Sequence, residues 1–194
     1  WLNVNNEIAF FDPANRTFSK VPAHYFNDKK QSTQNAPIRY FSDPSGSTYF
    51  YSHDGVFKFS EQQQSFIQLS RGMITSETAN PFSGIKRAGN FIVLVFKYDK
   101  LGTINLITGE EKTIAIGGTQ SPLGTHIAFN GIYPTADGQL WVSTPDHGVF
   151  RFNPSNGKTD QIKHNEKDQN SLPTNNLEYI FEDRNVVWMT SPGL

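Results

Sequence analysis

The chain contains no cysteine and only two methionines in 194 residues. Without thiols there is neither a disulfide framework nor a thiolate metal site. This absence fits the periplasm and the cytoplasm equally. Charge is sparse too: Asp, Glu, Lys and Arg make up 18%, and the net charge is −1. Such a balance argues against nucleic acid as a partner and against direct contact with an anionic membrane. The longest apolar run, Phe91 to Phe96, is far too short to cross a bilayer. No P-loop, Rossmann glycine pattern or Gly-x-Ser-x-Gly occurs, and none of the five histidines has a zinc spacing such as HExxH. No cofactor is expected. The first residue is Trp1 rather than Met and no leader sequence is visible, so the chain is read as a fragment of a longer protein, with export open to it.

Aromatic residues, by contrast, are plentiful: 13% of the chain, with 16 phenylalanines. Large flat side chains suit sheets that pack face to face. The pattern is clearest from Asp137 to Phe152. There Leu140 and Val142 alternate with Trp141, then Pro145-Asp146-His147-Gly148 supplies turn residues, and Val149 starts the strand back. This is the signature of a β-hairpin. The same text occurs earlier: Gly55-Val56-Phe57-Lys58-Phe59 matches Gly148-Val149-Phe150-Arg151-Phe152 almost letter for letter.

Taking the residue at the centre of the second strand as a marker gives Trp1, Tyr49, Val93, Trp141 and Trp188, spaced by 48, 44, 48 and 47. A Gly or Asn stands three residues before it at Gly46, Asn90, Gly138 and Asn185. A period between the ~40–45 of WD40 blades and the ~50 of kelch blades, in short strands, predicts an all-β β-propeller. The expected cuts are a partial blade at 1–21, blades at 36–70, 82–116 and 127–163, and a partial blade at 177–194. That makes about four blades of four-stranded antiparallel sheet, an open arc of a seven-bladed ring within one domain. Its two uncovered faces, near Trp1 and Trp188, predict either further blades of a longer chain or a homodimer. The opening strand of the fourth blade is expected at 127–133, that of the fifth at 177–182, and the third strand of the third blade at 102–107.

These motifs also resemble a known family. Asn170-Ser171-Leu172-Pro173, Ile180-Phe181-Glu182-Asp183, Val186-Val187-Trp188-Met189-Thr190 and Phe150-Arg151-Phe152-Asn153-Pro154 look like the two-component regulator propeller repeat. The resemblance spans the chain, is sharpest from residue 137 onward, and is poorest in the third blade, whose marker is Val93. It implies the periplasmic sensor region of a Bacteroidetes-type hybrid two-component histidine kinase, an extracytoplasmic domain of an inner-membrane protein. Such a domain detects an oligosaccharide and controls transcription of glycan-utilisation genes. On that implication the fragment itself is not an enzyme.

The repeated Trp residues are read as packing residues between blades, because stacked blades need one core position to recur. Asp43, Asp137 and Asp183 fall in repeated turns and are read as structural, and the near Asp-box at Ser42 to Tyr49 is likewise a turn. The polar loop after the first unit carries His24, Tyr25 and Asn27, and a second follows at His164 to Asn176. Ligand-binding candidates are Arg39, Tyr40, Lys86, Arg87 and Tyr133 from first strands, with His53, Tyr98 and His147 from hairpin turns. Glycan recognition needs aromatic faces beside a dense set of hydrogen bonds, which these types supply. The rival reading is a propeller enzyme, such as a streptogramin-lyase-like lyase or a glycan-active enzyme. His53, His126 and His147 converging on one ion would favour it.

Overall fold

The computed structural model of the chain describes residues 2–4, 7–21, 39–52, 55–60, 62–63, 65–70, 84–96, 100–116, 127–184 and 186–192. Among these residues every regular element is a β-strand, paired antiparallel to its neighbour in sequence. The chain divides into two compact units, Trp1–Glu77 and Thr78–Leu194. Sheets of consecutive short strands, repeating at one period and packed through both faces, make the protein a partial β-propeller, all-β as its sequence predicts.

The first unit holds two sheets. One has three strands, β1 (Leu2–Val4), β2 (Glu7–Asp12) and β3 (Thr17–Val21). The other has four, β4 (Arg39–Ser42), β5 (Thr48–Ser52), β6 (Gly55–Ser60) and β7 (Ser65–Ser70), in sequence order. Ile8 of β2 packs onto Phe50 and Phe57 of the second sheet, with Phe59 and Phe66 at the margin of the cluster. The Phe50 and Phe66 rings meet edge to face at 4.9 Å. β7 begins at Ser65, which pairs with Ser60 of β6.

The second unit holds three sheets. Strands β8 (Gly84–Ala88), β9 (Phe91–Val95), β10 (Lys100–Asn105) and β11 (Glu111–Ala115) form one. Strands β12 (Gly131–Pro134), β13 (Leu140–Ser143), β14 (Val149–Phe152) and β15 (Thr159–Ile162) form the next. Strands β16 (Ile180–Asp183) and β17 (Val186–Met189) pair as a hairpin. Alternation decides which face each residue serves. Leu140, Val142, Phe150 and Phe152 point to the preceding sheet and join Ala88, Val93, Val95 and Leu101 in one core. Trp141 and Val149 point the other way, into a second core with Leu177, Ile180, Val187 and Met189. Trp141 is therefore 9% exposed and is a packing residue between blades, as its recurrence implies.

Three strands are placed differently from the sequence reading. The third strand of the third blade is 100–105 rather than 102–107. Asn105 closes the turn, its Oδ1 accepting from the amides of Ile107 and Thr108 at 2.9 and 3.2 Å. The first strand of the fourth blade starts at Gly131 rather than Ile127; the Asn130 amide still donates to the Ser143 carbonyl of β13 at 2.9 Å, while its Nδ2 donates to the Leu177 carbonyl. The fifth blade's first strand starts at Ile180 rather than Leu177, because the Leu177 amide donates to the Thr144 carbonyl of the previous blade at 2.9 Å.

Turn chemistry repeats with the blades. Between third and fourth strands, Asp12, Asn105 and Asn153 each accept the amide two residues on through a side-chain oxygen, an Asx turn. Four residues after each comes a left-handed residue: Arg16 (φ 56°), Gly109 (73°) and Gly157 (75°). The third strands need glycine for a different reason. A Cβ on Gly55 would stand 2.1 Å from the Ser70 carbonyl oxygen, and one on Gly148 would stand 2.2 Å from that of Ile162. The glycine of the Gly-Val-Phe-Lys/Arg-Phe motif is where the third strand passes closest to the end of the fourth.

Candidate functional site

In the second unit a groove of about 500 Å³ runs along the first strands of three successive blades. Its walls are Lys86 of β8, Ile132, Tyr133 and Pro134 of β12, Ala136, Ile180, Phe181 and Glu182 of β16, and Arg184. Three of these stand at one register position. Lys86 pairs with the marker Val93, Tyr133 with Trp141, and Phe181 with Trp188. The repeat therefore sets one residue of each first strand along the groove: a lysine, a tyrosine and a phenylalanine.

Each lining group is held differently. Tyr133 is packed against the second core and its hydroxyl donates to the Glu178 carbonyl at 2.7 Å. Burial pushes its pKa up, so it is a neutral phenol that offers ring edge and oxygen lone pair. Phe181 is 56% exposed and stacks on Trp188 at 6.1 Å with the ring planes 11° apart. Glu182 Oε2 accepts the Ala136 amide at 3.3 Å, which ties the turn after β12 to β16. Arg184 is almost wholly exposed, and its Nε lies 4.0 Å from Asp183 Oδ1. Lys86 forms no ion pair among the described residues. An aromatic face flanked by two cations, one carboxylate and a phenol can hold a polar, ring-shaped ligand by stacking and hydrogen bonds.

The structure brings two of the sequence candidates, Lys86 and Tyr133, together in this groove. Arg87 is turned away from it, and its Nε donates to the Gly89 carbonyl at 2.9 Å. His147 stands at the opposite end of β13 from the groove. Its amide donates to Thr144 Oγ1 at 2.9 Å, its carbonyl accepts from Gln161 Nε2 at 2.9 Å, and Nδ1 meets Asp146. Arg39 and Tyr40 lie on β4, in the first unit. There Tyr40 is exposed with its ring 5.9 Å from that of Phe50. His53 and Tyr98 lie outside the described residues, as do Trp1, His24, Tyr25, Asn27 and His126. Among the described residues no three His, Asp or Glu side chains cluster as metal ligands.

Phe181, Glu182 and Arg184 were not among the sequence candidates. A usable signal existed for Phe181: it precedes its marker by seven residues, as Lys86 does, and Tyr133 precedes its own by eight. Asp43 and Asp137 are turn residues, as expected. Asp43 Oδ1 accepts the Ser45 and Ser47 amides at 2.9 and 3.0 Å. The loop from His164 to Asn176 is also structural. His164 Nδ1 donates to the Leu172 carbonyl at 2.6 Å, and Asn175 uses its Oδ1 to accept the His164 amide at 2.8 Å.

No family model matches the chain, and no curated protein matches it. Solved structures do. Two crystal structures of the extracellular domain of BT4673 from B. thetaiotaomicron, described once as a one-component and once as a hybrid two-component system, each overlay with a TM-score of 0.61. They are 15% and 14% identical to this chain and cover 98% and 97% of it. A third, the extracellular domain of the hybrid two-component system BT3049 from the same organism, is 14% identical over 94% of this chain and 29% of its own, with a TM-score of 0.41, too loose to weigh. The chain spans 24% of the length of the BT4673 structures, and at this identity the likeness is one of fold.

Proposed function

We propose that the chain belongs to the ligand-sensing, extracytoplasmic propeller of a hybrid two-component regulator, that its five sheets are blades of one propeller, and that it recognises an oligosaccharide without transforming it. In this reading the parent protein sits in the inner membrane, and ligand occupancy in the periplasm sets transcription of glycan-utilisation genes. One observation carries the reading: Lys86, Tyr133 and Phe181, at one register position of three successive first strands, line a common groove with Glu182 and Arg184. Stacking platforms beside cations and hydrogen-bonding groups are what sugar rings require. The fold shared with extracellular domains described as two-component systems supports the cellular setting.

Calorimetric titration of the protein with a panel of plant and host oligosaccharides tests this. At least one should bind with a saturable heat that Phe181→Ala weakens by tenfold or more. A panel without a single binder would remove the sensor reading.

A further inference from the structure

The groove holds more positive charge than its aromatic lining would need for a neutral sugar, and one of its cations occupies a backbone conformation that glycine fills elsewhere. Arg184 has φ 47°. It sits between the paired residues Asp183 and Val186, in the hairpin joining the first and second strands of its blade. At the same position of the third blade, four residues before its marker, stands Gly89 (φ 54°), also in the left-handed region. A side chain with a Cβ is disfavoured there, and arginine has no local hydrogen-bonding compensation of the kind Asn or Asp offers.

That side chain lines the groove and is 93% exposed, so neither packing nor burial accounts for it. Its nearest carboxylate, Asp183, is 4.0 Å away, beyond a charge-assisted hydrogen bond. Lys86 enters the same groove from β8 and forms no ion pair among the described residues. Against these two cations the lining offers one carboxylate, Glu182, whose Oε2 is directed to the Ala136 amide. The net charge of the lining is therefore +1, on a chain whose net charge is −1.

We propose that Arg184 and Lys86 form an anion subsite, so that the ligand of this groove is an acidic oligosaccharide carrying a carboxylate or a sulfate ester. The guanidinium of Arg184 engages the anion in a forked, two-bond contact, while Lys86 acts as a point charge from two blades earlier. Tyr133 and Phe181 lie along the same groove on the first strands between them. This proposal rests on the reading of the groove as a ligand site, and the test separates the two.

The protein is titrated with oligogalacturonides, with chondroitin sulfate oligosaccharides, and with the neutral probes maltohexaose and cellohexaose. One acidic series should bind at least tenfold tighter than either neutral probe, with affinity falling as salt rises. The two acidic series distinguish carboxylate from sulfate. Arg184→Gly should weaken acidic binding tenfold or more while leaving the thermal midpoint equal or higher, since glycine relieves the left-handed backbone. Arg184→Gln, which keeps the Cβ and removes the charge, should lose the same binding. Neutral probes binding as well as acidic ones, or acidic binding unchanged in Arg184→Gln, would overturn the anion subsite and leave the groove reading standing. Binding of no probe of either kind would overturn both.

Discussion

The guanidinium of Arg151 lies over the indole of Trp141, with its Cζ 5.5 Å from the ring centroid, and its Nη2 donates to Asp137 Oδ2 at 2.7 Å. Lys58 lies over Tyr49 in the same way, its Nζ 5.9 Å from the ring centroid. Both are cross-strand pairs, since Trp141 faces Arg151 and Tyr49 faces Lys58 in register. The cation completes an aromatic whose ring is otherwise packed in hydrocarbon. In the third blade the same two positions are Val93 and Thr103. Aromatic and cation have gone together, which is the physical content of that blade's weak match to the repeat.

Trp141→Ala should therefore destabilise the protein by about 3–5 kcal/mol, the range for a large buried aromatic. Trp141→Phe should cost much less than half of that. The indole Nε1 is buried without a hydrogen-bond partner among the described residues, and phenylalanine removes that unsatisfied donor while keeping most of the packing. Urea denaturation of both variants checks the order. A loss below about 1 kcal/mol for Trp141→Ala would show that the indole is open to ligand.

Gly148 and Gly109 separate two reasons for glycine. Both have φ 73°. A Cβ on Gly109 meets nothing within 4 Å, whereas one on Gly148 stands 2.2 Å from the Ile162 carbonyl oxygen. Gly109→Ala should lose about 1 kcal/mol from the left-handed backbone alone. Gly148→Ala must also push neighbouring strands apart, and should lose about 2 kcal/mol more. Equal losses at the two sites would contradict the close approach.

Arg16 should be improvable. It holds φ 56° where the equivalent turns have Gly109 and Gly157. Arg16→Gly relieves a left-handed side chain, partly offset by the greater freedom of an unfolded glycine, for a net gain of up to about 1 kcal/mol. Denaturation midpoints of the two proteins at one pH give the answer, and a fall in stability would argue that the arginine side chain is engaged.

Acid should loosen the fourth blade through Asp137. Its carboxylate accepts a hydrogen bond from Thr135 Oγ1, then from the Gln139 amide and from Arg151, and these hold its pKa below the usual 3.8. A folded-state pKa below the unfolded one means stability present above about pH 3.8 and lost as pH falls through the folded value. Asp137→Asn should accordingly be less stable near neutrality, with a shallower decline below about pH 4. Parallel acid profiles of the two proteins would refute the linkage.

The resemblance to a propeller repeat was legible because blades repeat what they need. A core position, a close-approach glycine and an Asx turn recur at one spacing, so Trp141, Gly148 and Asn153 announce their roles by having counterparts. Strand ends were less legible, because Asn130, Leu177 and Asn105 form hydrogen bonds that hydrophobic alternation does not record. In the site, Lys86 and Tyr133 could be picked out as polar or aromatic residues on first strands. Their company could not. Phe181, Glu182 and Arg184 come from a hairpin some fifty to a hundred residues away in sequence, and only the packing of one blade on the next sets them in the same groove. Alternation and turn residues act locally, and they suffice to specify the all-β repeat. The groove exists only in the folded chain, since which faces meet depends on contacts between blades that no local pattern encodes.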